Sequence, residues 1–113
     1  MPEPKVLYTE RTRIEHSRNV GDSDNVRTTL YALDLPEIAY PQTMHLLVID
    51  HMGPFAEEWE RDHQSILPAS SDAAAIRKAI EAHDQLVAIQ QYMANHPDVK
   101  AEYFTEEAPH VRA

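Results

Sequence analysis

The stretch HMGPFAEEWERDHQ, His51–Gln64, holds the only tryptophan of the chain, one of its two glycines, four acids and two histidines. Whether it is a site or a strand running into a helix decides the fold. Gly53 and Pro54 read as a helix start: proline at the first helical position loses no needed N–H, and its φ is already helical. Glu57 and Glu58 then fall in the first turn, where carboxylates suit the positive end of the helix dipole. The expectation is a first helix from Pro54 to Ile66, broken by Pro68 and the Ala-Ser-Ser that follows.

Upstream, the period is two. In residues 5–16, Val6, Tyr8, Thr12 and Ile14 share one face, and Thr9, Arg11, Arg13 and Glu15 the other, as in a half-buried strand. Residues 17–25 are turn-rich, and 26–33 form a second β-rich run, which predicts a hairpin. Pro36 and Pro41 make 34–42 a loop or an edge. Residues 43–50, TMHLLVID, are the most apolar run and read as the central strand.

Downstream, Ser71 can cap a second helix over Asp72–Asn95, stopped by Pro97. At ~1.5 Å per residue it would be ~36 Å long. Residues 99–105 read as a short last strand and 106–113 as a frayed tail. The fold expected is therefore one α+β domain over 1–113: a small antiparallel β-β-β sheet, then two helices packed on one face.

Composition narrows function. No cysteine is present, which removes disulfides, thiolate metal sites and cysteine nucleophiles. The start of the chain lacks the apolar stretch of a signal peptide, and no apolar run approaches a membrane span, so a cytoplasmic protein that avoids membranes is expected. The net charge is −9; residues 1–30 carry five bases and five acids, so all of it lies in 31–113. Direct nucleic-acid binding is disfavoured there, because phosphate contacts need Lys and Arg. A basic protein partner fits better.

Each candidate constellation has a bland reading beside it. Glu60 and His63 form one Glu-x-x-His pair; di-iron bundles need two, with further carboxylates, and no second copy occurs. At ~100° per residue, Phe55, Trp59 and Ile66 share the apolar face of the first helix, with Asp62 beside them and His63 on the flank. A carboxylate there needs a partner. His83 lies on the stripe of Ile76, Ile80, Val87 and Ala94, where a neutral core histidine is the ordinary case. If Asp62 and His83 met, they would frame a general base. His45 and His51 share a strand face but stand ~20 Å apart, too far for one ion. No Walker or dinucleotide pattern can be built from Gly21 and Gly53 alone.

Leu86, Ile89, Tyr92 and Met93 form a second apolar patch on the long helix, off-phase from its stripe. It is read as the seam of a homodimer, the alternative being that the tail around Tyr103 and Phe104 folds back over it. The function expected is a small acidic, non-enzymatic binding or regulatory module acting on a protein partner, possessing no cofactor. That partner suits a basic, nucleic-acid-binding protein, by analogy with inhibitors, immunity proteins and antitoxins as a class. The competing reading is a small enzyme or ligand binder whose sheet–helix pocket uses Asp62, His83, His63 or His51. No tightly bound metal is expected; elemental analysis showing stoichiometric Zn or Fe, lost in Glu60→Ala or His63→Ala, would overturn that.

Overall fold

The computed structural model describes residues 3–15, 23–35 and 43–96. Four strands, β1 (Lys5–Glu15), β2 (Ser23–Asp34), β3 (Thr43–Met52) and β4 (Glu60–Ile66), form an antiparallel sheet in the order β1-β2-β3-β4. One helix, α1 (Asp72–Asn95), follows and packs on one face. The α+β class holds, but the expected three strands and two helices do not: the segment read as the first helix is β4 and the turn before it.

The physical reason lies in His51–Gln64 itself. Ala56 N–H donates to Gly53 C=O at 3.3 Å, closing a turn with Pro54 at its second position. A fixed φ near −65° suits that position as well as it suits the start of a helix. Residues Glu60–Ile66 then pair with β3 as an edge strand. A charged, exposed edge strand carries no apolar alternation to announce itself, and charge there deters pairing with other chains. Phe55, expected beneath the sheet with Trp59, is 87% exposed. The expected last strand over 99–105 and the tail lie outside the described residues.

Register divides the sheet into two faces, since residues opposite one another across a ladder point the same way. Thr28, Leu30 and Ala32 of β2 face the helix, with Ile49, Leu47 and His45 opposite them on β3. A bulge between Val6 and Tyr8 turns both Leu7 and Tyr8 toward the helix side, where they pack against Leu30, Leu47, Ala75 and Ala79. A second bulge, between Ile49 and Asp50, makes Asp62 the extra residue of β4.

The helix begins where expected. The Ser71 side chain accepts the Ala74 N–H at 3.1 Å, satisfying one of the free donors of the first turn. Its sheet-facing stripe, however, is Ala75, Ala79 and His83, about a quarter-turn from the Ile76–Ile80 line that hydrophobicity favours. Two alanines let the helix backbone lie close to the sheet, and they leave Ile80 on the outer flank. The Tyr8 hydroxyl bonds Glu10 beside this seam. Partial burial, then the bond to Glu10 and the charges of Glu10 and Asp84, raise its phenol well above the usual range. Among the described residues no helix is long and apolar enough to cross a membrane.

The alanine seam gives a direct test. Ala79 has no exposed surface, so Ala79→Leu must push the helix from the sheet. The expected loss is about 1–3 kcal/mol of unfolding free energy, read from urea denaturation, whereas Ala88→Leu on the exposed side should be near neutral.

Candidate functional site

Polar side chains gather at three places, none formed by Asp62 meeting His83. His83 is 1% exposed and lies in the helix–sheet layer. Its Nε2 is 2.8 Å from Thr12 Oγ1 and its Nδ1 is 2.7 Å from Thr28 Oγ1. A neutral imidazole offers one donor and one acceptor, and hydroxyls can serve either role. Both ring nitrogens are thereby engaged. Asp62 is exposed on β4, far from this layer's interior.

The buried carboxylate of the sheet is Asp50. Arg27 donates to its Oδ2 from Nη2 at 3.1 Å and from Nε at 3.3 Å, and Arg61 Nε lies 3.6 Å from Oδ1. A desolvated carboxylate requires such partners. Arg27 also lies 4.3 Å from the centroid of the Trp59 ring, and Arg11 5.5 Å from it. The indole thus caps two guanidinium groups by cation–π attraction on the face away from the helix. Asp50 shares the β3 alternation with Leu46 and Val48; an acid on that apolar stripe was the available signal.

The third group is two separate carboxylate–imidazole pairs, one near each end of β3. His45 Nε2 is 2.9 Å from Asp72 Oδ1, and His51 Nε2 is 3.3 Å from Asp24 Oδ1. Glu60 stands opposite His51, and His63 opposite Ile49. Among the described residues no three His, Asp or Glu side chains are grouped to hold a metal ion.

Among the described residues no helix packs on the face opposite α1. Val6, Tyr31, Leu46 and Ile66 stand in one cross-strand row through all four strands. Its ends are open: Val6 is 52% and Ile66 63% exposed, while Tyr31 and Leu46 are half-buried. Val48, one row along, is 1% exposed. On the helix, the proposed seam is divided: Ile89 and Tyr92 are exposed, Leu86 and Met93 half-buried, and Tyr92 stacks on His96 with ring centroids 4.0 Å apart.

Compared with known proteins, the chain matches no family model, no curated protein and no solved structure, so the site rests on its own geometry.

The histidine between two threonines predicts a measurable coupling. His83→Leu should cost about 1–3 kcal/mol, because it strands the buried Thr28 hydroxyl. Adding Thr28→Val should recover part of that loss. A double variant no more stable than His83→Leu in chemical denaturation would show that the bond to Thr28 contributes nothing.

Proposed function

We propose that the chain is a non-enzymatic binding module that presents the open face of its sheet to a basic protein partner. One observation carries this reading: the apolar row Val6–Tyr31–Leu46–Ile66 crosses the whole sheet on the side opposite α1. A row of this kind left in water is unfavourable, and contiguous exposed apolar patches mark interaction sites. Within the row, Tyr31 supplies the aromatic area that interface cores favour.

The charge of the partner follows from the acids at the other end of the same sheet. Arginines on this face are already engaged: Arg27 with Asp50, and Arg13 with Glu15 at 2.8 Å. Glu57, Glu58, Glu60 and Asp62, by contrast, are exposed along the β3–β4 connection, and the whole chain carries −9. Basic groups at the rim of a partner would be steered toward that connection, an effect on association rate that falls with salt. The helix patch through Ile89 and Tyr92 is proposed as a separate seam between two copies.

Ile66→Glu separates the two surfaces. The side chain is mostly exposed, so the variant should fold with a stability change within about 0.5 kcal/mol. In native mass measurement of protein from its own host, it should lose a basic partner that wild type retains, and remain dimeric. Ile89→Glu should do the opposite. A dimer that dissociates with Ile66→Glu, or a wild type that is a lone monomer, would overturn the assignment.

A further inference from the structure

Below the end of β3, His45 lines a cleft of about 240 Å3 whose apolar walls include Leu35, Met44, Leu67 and Pro68. The imidazole is 4% exposed, and its Nε2 is held 2.9 Å from Asp72. Among the described residues Nδ1 has no hydrogen-bond partner. A second cleft, of about 150 Å3, adjoins Asp72 on its other side and is polar, lined by Glu3, Lys5 and Asp34. The His45–Asp72 pair is therefore a wall between an apolar cleft and a charged one, with Thr43 bordering both.

We propose that the apolar cleft is a binding site for a small uncharged ring compound bearing one hydroxyl or N–H group, which donates its hydrogen to His45 Nδ1.

The tautomer follows from the partner. A carboxylate only accepts, so in the neutral imidazole the hydrogen sits on Nε2 and points at Asp72. Nδ1 then carries the lone pair and seeks a donor. A buried acceptor without one is costly, and a ligand that supplies it removes that cost. Charge narrows the class further. Among the described residues the cleft's lining includes no Lys, Arg, Asp or Glu, so an ion entering it would lose hydration without an opposite charge to replace it. Size permits one ring: an apolar cavity of about 150 Å3 already takes benzene. Apolar walls with a few polar groups, here His45 and Thr43, are the usual makeup of a small-ligand site.

Phenol and benzene are the probes, since they differ by the hydroxyl alone. The His45 ring signals of the full chain, identified by their loss in His45→Leu, are followed by NMR as each probe is added. The expected result is a saturable shift, with phenol bound about two- to tenfold more tightly than benzene, the worth of one net hydrogen bond. His45→Leu, with binding then read from the wall methyl groups, should erase that preference. Ala69→Phe, which fills the cleft, should abolish the shift while the His45 signals persist, and it serves if His45→Leu does not fold. Absence of a saturable shift in wild type, equal affinity for the two probes, or binding undiminished in Ala69→Phe would overturn the proposal.

Discussion

The imidazole of His83 joins helix to sheet. It is a polar group in the one layer that excludes water, and it is tolerable there because Thr12 of β1 and Thr28 of β2 engage both nitrogens. Two hydrogen bonds to two different strands fix the rotation of α1 about its axis. That rotation places Ala75 and Ala79 against Leu30 and Leu47. It also leaves Ile80, Ile89 and Tyr92 outside. Hydrophobicity alone would turn the helix about a quarter-turn, to bury Ile76 and Ile80. The polar contact and the close approach permitted by two alanines outweigh the area those side chains would bury.

The sheet repeats the same arrangement on its other face. Asp50 is buried between Arg27 and Arg61, and Trp59 lies over Arg27 and Arg11. This ionic cluster closes the end of the open face near the β3–β4 turn. The apolar row through Tyr31 and Leu46 occupies the rest. The two faces thus differ in kind: α1 packs on one, and on the other, among the described residues, Trp59 lies over Arg27 and Arg11. The proposed partner surface is the part of that second face beyond Trp59.

Much of the β-structure was legible because the strands that bury one face alternate. Lys5–Glu15 and Thr43–Met52 announce themselves, and so does the Ser71 cap of the long helix. β4 was not legible. Its exposed edge needs no apolar pattern, and Gly53-Pro54 followed by two glutamates satisfies the chemistry of a helix start and of a β-turn equally. That single misreading moved Phe55, Trp59 and Asp62 from a buried helix face to a turn and an edge strand. It also hid the sites that matter: Asp50, rather than Asp62, is the buried acid, and the His45–Asp72 pair joins a strand to a helix N-terminus that no spacing in the chain connects. The expected homodimer patch was visible as an off-phase cluster, but only the fold shows that Leu86 and Met93 are half-covered.

The meander has a consequence for how the chain folds. Each strand pairs with its neighbour in sequence, so the sheet assembles through contacts of modest separation. The Thr12–His83 bond spans 71 positions and the Glu15–Gln91 contacts 76. Closing a loop of that length carries an entropic cost that local hairpins avoid. Sheet formation can therefore precede helix docking, and a chain caught between the two stages exposes apolar rows on both sides of one sheet. Charged residues on the two edge strands, Arg11 and Arg13 on β1 and Arg61 and Asp62 on β4, make that transient species a poor template for its own aggregation.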